Sequence, residues 1–182
     1  NYMKKVFIMS NGCSKKLLDA SKIRTYFKKN NYLINKTPFL ADYIIFITCS
    51  FIEKKEFESI SIIKHLNQFK GKLILMGCFK DISPIKFNKN CKNILSININ
   101  HIDELFPNFK IKFNQILDCN KTNSNIYYNF YQFYNKNLIN LFNNYFNYYK
   151  IKKIYNNRLN YNLRISTGCN QKCSYCAINK AI

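Results

Sequence analysis

The sequence predicts an α/β fold with a mainly parallel sheet and helices on both of its faces. Short apolar runs typical of buried strands alternate, along the first hundred residues, with longer segments whose apolar residues recur at helical spacing. This alternation favours β-α-β units, in which a helix returns the chain to begin the next parallel strand. Ligands in such folds gather beyond the carboxyl ends of the strands, so residues that follow a strand are the first candidates for a site.

The first four predicted elements are two strands and two helices. Residues 4–9 predict a short buried strand that ends at a Ser-Asn-Gly turn, and residues 14–29 have the apolar spacing of a helix. Residues 42–48 contain Tyr-Ile-Ile-Phe-Ile, the strongest strand pattern in the chain. Residues 52–69 predict a second helix, with acidic residues early and a lysine late, as the helix dipole favours.

The elements after residue 70 are shorter. Residues 72–76 predict a third strand, residues 93–99 a weaker fourth one, and residues 101–105 a short helix. From about 120 to 157 the chain is low in complexity, rich in Asn, Tyr and Phe, and without Gly or Pro, which predicts a connection between domains. After it, Leu163-Arg-Ile-Ser predicts a strand that opens a second domain.

The chain is strongly basic. Its 29 Lys and Arg residues against 9 Asp and Glu residues give a formal net charge of +20 at pH 7. A field of this sign attracts polyanions, of which RNA is the obvious candidate. Codon usage in an AT-rich genome would enrich the same residues, Lys, Asn, Ile, Tyr and Phe, so both explanations stay open. No run of 18 apolar residues occurs, so the sequence predicts no membrane span and no membrane partner.

The densest group of reactive side chains is a C-x3-C-x2-C triplet formed by Cys169, Cys173 and Cys176. Thiolates ligate iron–sulfur clusters and zinc alike. A structural zinc site normally takes four ligands from paired C-x2-C knuckles, whereas three cysteines without a nearby fourth suit a [4Fe–4S] cluster with one open iron. We interpret the triplet as such a site, with zinc as the alternative. Tyr175 and the strand before the loop fit enzymes in which the open iron binds S-adenosylmethionine.

Three more cysteines each follow a predicted strand within about four residues: Cys13, Cys49 and Cys78. The carboxyl ends of parallel strands share one edge of a sheet, so we expect the three thiols to converge there. Cysteines are common buried residues, and a single placement of this kind would be unremarkable in a core. Three equivalent placements in successive β-α units favour a site. Cys91 and Cys119 lack this context and are interpreted as ordinary thiols.

The eight cysteines do not predict a disulfide scaffold, because such scaffolds are short and loop-rich whereas this chain has periodic strands and helices. We therefore expect reduced thiols in an intracellular compartment. The cytoplasm is the expected location, with an organelle (plastid or mitochondrial matrix) of a eukaryote with an AT-rich genome as the alternative.

Together the cysteine motifs resemble those of the radical S-adenosylmethionine methylthiotransferases. The resemblance covers most of residues 4–108 and 161–182 but not the linker. Four stretches resemble the successive family motifs: residues 11–19, 48–60, 76–78 and 166–178. The chain departs from the family pattern at Lys16 and Ile47, where the family often has Asn, and at Ser21, where it often has an acid.

The resemblance implies an enzyme that adds a methylthio group at a C–H position. It implies two [4Fe–4S] clusters and S-adenosylmethionine as cofactors. Cys13, Cys49 and Cys78 would hold the cluster of the N-terminal domain, and Cys169, Cys173 and Cys176, with Tyr175 beside them, would form the cofactor-binding loop. No residue is assigned a catalytic role. The chain starts at Asn1 and stops soon after the triplet, so we expect an N-terminal fragment with a truncated radical barrel. The expected parts are a methylthiotransferase N-terminal domain, a linker and the start of the radical domain: residues 1–115, 116–160 and 161–182.

The substrate implied by the resemblance is either a tRNA adenosine near the anticodon or an aspartate of a small-subunit ribosomal protein. The basic charge favours tRNA, which is the expected substrate and partner. The residues after Cys49, Phe51-Ile-Glu and Glu58-Ser-Ile, favour the ribosomal protein, which is the alternative. An electron donor such as flavodoxin or ferredoxin is the other expected partner. Two rivals are a non-catalytic zinc or RNA-binding module and a radical enzyme whose extra cluster only relays electrons.

Overall fold

The structure is a computed structural model that describes residues 3–118. Within them lies a sheet of five parallel strands in the order β2-β1-β3-β4-β5. The strands and helices are β1 (Lys5–Ser10), α1 (Ser14–Lys29), β2 (Leu33–Asn35), β3 (Tyr43–Thr48), α2 (Glu53–Leu66), β4 (Lys72–Gly77), α3 (Phe79–Ile82), α4 (Pro84–Cys91), β5 (Leu95–Ser96) and α5 (Ile102–Leu105), with 3-10 turns at Ile99–His101 and Phe113–Gln115.

The central strands are aligned so that their carboxyl ends lie side by side. Ser10 of β1 pairs with Ile47 of β3, and Thr48 at the end of β3 pairs with Gly77 at the end of β4. The chain leaves the sheet within two residues of each of these pairs. The three segments that follow β1, β3 and β4 therefore start from one edge of the sheet, as the sequence predicts.

Alternate residues of the strands build two apolar layers, one on each face. On one face, β1, β3 and β4 contribute Val6, Ile45 and Ile74 to a core that also contains α1 and the segment after α5. On the other face, Phe46 and its neighbours pack with α2, α3 and α4. Burial on both faces explains why the strands are continuous apolar runs rather than alternating ones.

Tyr26 of α1 anchors the segment that follows β5. Its ring is fully buried and lies within 5.5 Å, centroid to centroid, of Phe109 and Phe113. Its hydroxyl donates to the Asp103 carboxylate at 2.7 Å, and that carboxylate also accepts the Phe113 amide hydrogen. Burial, and then the Asp103 contact, raise the pKa of Tyr26, so the hydroxyl stays a donor. Ile116 is buried in the same core.

The predicted α/β architecture is confirmed. The three strong strands and the two long helices begin and end within three residues of the predicted limits. The prediction missed β2, which has only three residues, and it also missed α3 and α4, which have only four and eight residues. Among residues 3–118, no helix combines the length and the apolar character that crossing a bilayer requires.

Candidate metal centre

The three cysteines of the N-terminal domain follow the three central strands at the shared edge. Cys13 lies three residues after β1, at the N-cap position of α1, and Cys49 comes directly after β3. Cys78 comes directly after β4, at the N-cap position of α3. All three are free thiols. Cys49 and Cys78 are buried, with 6% and 7% of their surface exposed, whereas Cys13 is exposed.

The thiols of Cys49 and Cys78 share a hydrogen bond. This bond raises the pKa of Cys49, which acts as the donor, and burial adds to the increase. The same bond lowers the pKa of Cys78, and it outweighs the opposite effect of burial. The pair therefore releases its first proton more readily than an isolated cysteine and its second proton less readily. A sulfur that is already anionic at neutral pH is the form in which cysteine ligates a metal.

Two further groups act on this pair through their charge. Cys13 contributes to the raised pKa of Cys49, which places its thiol within electrostatic reach. The ammonium of Lys16, one turn into α1, helps to lower the pKa of Cys78. Lys16 also lies 3.8 Å from the Asp19 carboxylate. Lys16, one of the three positions at which the sequence departs from the family pattern, thus places a cation near the thiols.

A buried polar network holds the backbone of Cys49. The Asn11 side-chain oxygen accepts the Cys49 amide hydrogen at 3.0 Å, and the Ser59 hydroxyl donates to the Cys49 carbonyl at 2.7 Å. The Asn11 amide group donates to the Ser59 hydroxyl at 2.9 Å. Ile47, another of the three positions that depart from the family pattern, lies in the apolar core, so its side chain takes no part in this network.

The backbone of Cys78 is tied to the end of β3. Its amide hydrogen is donated to the Thr48 carbonyl at 3.4 Å, and its carbonyl accepts the Ser50 hydroxyl at 3.5 Å. Gly77, just before it, has a φ of +103°, and a Cβ there would overlap the Thr48 carbonyl oxygen. Only glycine combines this φ with so close an approach of the two strands.

The donor chemistry of the three cysteines suits an iron–sulfur cluster. Sulfur ligands favour iron–sulfur clusters and zinc over hard cations. The thiols of Cys49 and Cys78 shift each other's pKa, and Cys13 is within electrostatic reach of Cys49. Across residues 3–118, no group of three His, Cys, Asp or Glu side chains is arranged to hold a metal ion as it stands. The exposed Cys13 would therefore have to turn towards the pair.

The other predicted site residues lie outside the described part of the chain. These are the triplet and its neighbouring tyrosine, namely Cys169, Cys173, Tyr175 and Cys176. Cys119 also lies outside it. Cys91 is buried in the core at the end of α4, and burial raises its pKa to about 11, as suits a structural thiol.

Sequence reasoning missed the polar residues that hold the cysteines. Asn11, Ser50 and Ser59 are 1%, 3% and 0% exposed, although residues of these types are mostly found at the surface. Asn11 and Ser59 are 48 positions apart, so no local pattern shows that they meet. The one available signal was their position within the two stretches that resemble family motifs.

A family profile described as "Uncharacterized protein family UPF0004" matches residues 5–97. This stretch contains all five strands of the sheet and the three cysteines at its edge. The matched region therefore lies within the described residues 3–118, and it makes up half of the chain.

Similar curated proteins extend beyond that domain. A protein of Clostridium kluyveri named ribosomal protein uS12 methylthiotransferase RimO is 31% identical over 187 aligned residues, which cover 97% of this chain and 37% of the relative. Proteins of the same name from Acetivibrio thermocellus and Aquifex aeolicus are each 28% identical, over 96% and 97% of this chain and 37% and 33% of their own lengths. The chain thus spans about a third of the length of these relatives.

Half of the chain matches the family profile, and nearly all of it aligns with methylthiotransferases. The chain therefore belongs to the UPF0004 family, the N-terminal domain family of the radical S-adenosylmethionine methylthiotransferases.

Proposed function

We propose that the protein containing this chain is a radical S-adenosylmethionine methylthiotransferase that modifies ribosomal protein uS12. The observation that carries the proposal is the alignment, over 97% of the chain, with a protein whose name states this activity. The relatives named above all carry that name, so they favour the ribosomal-protein alternative over the tRNA substrate expected from the net charge. The convergence of three cysteines on one sheet edge is the structural support.

Two sets of cysteines would hold the cofactors. Cys13, Cys49 and Cys78 would hold one [4Fe–4S] cluster, and the triplet would hold the other: Cys169, Cys173 and Cys176. When bound, the clusters and S-adenosylmethionine would supply the electron, the methyl group and the sulfur that methylthiolation consumes. The described residues would keep the first site rigid and largely dry, because Cys49 and Cys78 are buried at the sheet edge.

The remaining partners follow from this chemistry. Reductive cleavage of S-adenosylmethionine needs an external electron, so a small donor such as flavodoxin or ferredoxin is the proposed redox partner. The compartment would be the one that contains the ribosomes carrying the substrate. We propose the cytoplasm, with an organelle as the alternative.

A tRNA adenosine is the second candidate substrate. The formal net charge of +20 favours it, since a basic surface attracts nucleic acid. The same charge would also help a protein approach uS12 on a ribosome, whose surface is rich in RNA phosphates. Charge therefore does not discriminate between the two substrates, and the chemistry of the product must do so.

The test compares the modification state of both candidates with and without the gene. In a deletion strain, uS12 should lose the mass of one methylthio group, and restoring the gene should bring it back. A gene copy carrying Cys49→Ala should fail to restore it, because one ligand of the first cluster would be missing. A copy carrying Cys91→Ala is the matched control and should restore it, because Cys91 lies in the core away from the sheet edge.

The tRNA nucleosides of the same strains decide between the substrates. Unchanged uS12 together with loss of a 2-methylthioadenosine derivative would show that tRNA is the substrate. If neither product changed, the methylthiotransferase proposal itself would be wrong.

A further inference from the structure

We propose that Asn11 and Ser59 are positioning residues that set Cys49 in place for metal binding. The inference rests on the proposed role of Cys13, Cys49 and Cys78 as ligands of one cluster, and it assigns a role to two residues that are not themselves ligands. Asn11 is the first residue after β1, and Ser59 lies in the middle of α2. The two therefore reach Cys49 from two different elements.

The first step of the argument is the hydrogen bonding of a buried backbone. Cys49 lies one residue beyond the end of β3, where the sheet no longer supplies partners to the chain. A buried amide or carbonyl without a partner is costly, so native structures supply one. Here the partners are side chains. The Cys49 amide nitrogen lies 3.0 Å from the Asn11 side-chain oxygen and 3.3 Å from the Ser59 hydroxyl oxygen, and it donates to both. The Cys49 carbonyl accepts a hydrogen bond from the same Ser59 hydroxyl.

The second step is that the two side chains hold each other. The Asn11 amide nitrogen donates to the Ser59 hydroxyl at 2.9 Å and reaches the Lys55 carbonyl at 3.4 Å. Asn11 is 1% exposed and Ser59 is fully buried, so water does not compete for these bonds. Each hydrogen bond in this network orients the groups that form the others, and together they hold the Cys49 backbone rigidly in place.

The third step is that the network joins the segments that carry all three cysteines. Asn11 lies two residues before Cys13, and it contacts Cys49 directly. Ser50, the next residue after Cys49, donates to the carbonyl of Cys78. A chain of hydrogen bonds therefore runs from the segment of Cys13 through that of Cys49 to that of Cys78. This is the arrangement expected of a support that fixes the backbone of the segments carrying the ligands before the metal binds.

The test measures cobalt(II) affinity in the full chain with Cys169, Cys173 and Cys176 all replaced by Ala, so that only the N-terminal site is read. Thiolate-to-cobalt charge-transfer absorption reports binding and the number of sulfur ligands. Ser59→Ala and Asn11→Leu should each weaken cobalt binding by roughly 10- to 100-fold, as loss of a group that orients a ligand typically does. Both should also lower the charge-transfer intensity per cobalt at saturation, because Cys49 is no longer presented.

Two variants separate positioning from packing. Ser59→Thr keeps the hydroxyl and should bind cobalt nearly as well as the parent. Ser61→Ala, the same kind of change at an exposed position of α2, should also match the parent. Circular dichroism and thermal unfolding without metal establish that each variant is folded. Because Asn11 lies outside the helix, Asn11→Leu gives an independent reading if Ser59→Ala unfolds.

The outcomes distinguish this inference from the proposed function. Parent-like cobalt affinity in folded Ser59→Ala and Asn11→Leu proteins would overturn the inference and leave the cysteine site intact. Binding by Ser59→Thr as weak as that of Ser59→Ala would also overturn it, because the hydroxyl would then not be the cause. A parent that bound no cobalt would overturn the cysteine site itself, and the inference with it. None of these readings depends on uS12.

Discussion

Cys49 and Cys78, which follow the neighbouring strands β3 and β4, are held very differently from Cys13, which follows β1. The first two are buried, share a hydrogen bond and have backbones fixed by the side chains and carbonyls of other segments. Cys13 is exposed, and its side chain makes no capping hydrogen bond to α1. The fold therefore sets the backbones of two of the three cysteines in place and leaves the third side chain adjustable.

The largest effect is expected for Gly77→Ala, which would push the ends of β3 and β4 apart. The added Cβ would overlap the Thr48 carbonyl oxygen, lie 2.8 Å from the Thr48 amide nitrogen and force a φ of +103° on alanine. We expect the free energy of unfolding to fall by about 3 kcal/mol, from strain and displaced backbone. Urea unfolding of the full chain measures it, and Ser61→Ala should stay within about 0.5 kcal/mol of the parent. If Gly77→Ala lowered the free energy of unfolding by less than about 1 kcal/mol, the ends of β3 and β4 would be shown to move apart at little cost in stability.

The second expected effect is a difference in the rates at which the thiols react with a maleimide in the reduced, metal-free chain. Cys13 should react at least about tenfold faster than Cys49, because a buried thiol reacts only when the structure opens locally. Peptide mass spectrometry separates the two sites, and Cys91, which is 2% exposed, provides a buried reference. In denaturing urea the rates should converge. Equal rates of Cys13 and Cys49 under native conditions would show that the two thiols are not held differently.

The smallest expected effect concerns Glu56, which links α2, the helix after Cys49, to the N-terminal turn of α4. Its carboxylate in α2 lies 2.5 Å from the Lys86 ammonium and accepts the Ser83 hydroxyl. Burial raises the pKa of Glu56, but the contacts with Lys86 and Ser83 outweigh burial and lower it below its ordinary value of 4.5. A lowered folded-state pKa stabilises the fold above 4.5, and this contribution is lost as the pH falls through the folded-state value.

Glu56→Gln should therefore be less stable than the parent at pH 7, and the difference should shrink as the pH falls below 4.5. Urea midpoints measured across this range test the expectation. A difference that stays constant with pH would mean that the charge of Glu56 is not what joins the two helices.

The strands and site residues that could be predicted from the sequence are those that a local sequence pattern indicates. Buried parallel strands are continuous apolar runs, so β1, β3 and β4 could be located, and the carboxyl-end rule then placed three cysteines at one edge. The short strand β2 could not be located, because three residues carry too little pattern to separate them from a loop.

The residues that support Cys49, and the substrate, could not be predicted, because no local sequence pattern indicates them. Asn11 and Ser59 have ordinary polar side chains in the sequence, and they become important only because the folded chain buries them against Cys49. The tRNA expectation rested on net charge, which records composition as much as function. The names of the relatives favoured uS12 instead.

The most direct test of the central claim is the iron content of the full chain after Cys169, Cys173 and Cys176 are all replaced by Ala and the protein is reconstituted with iron and sulfide without oxygen. We expect about four irons per chain, one cluster on the remaining triplet. Cys13→Ala, Cys49→Ala and Cys78→Ala should each remove most of this iron, while Cys91→Ala should leave it unchanged. Iron that survived Cys49→Ala, or that was lost on Cys91→Ala alone, would contradict the assignment of the cluster to the edge of the sheet.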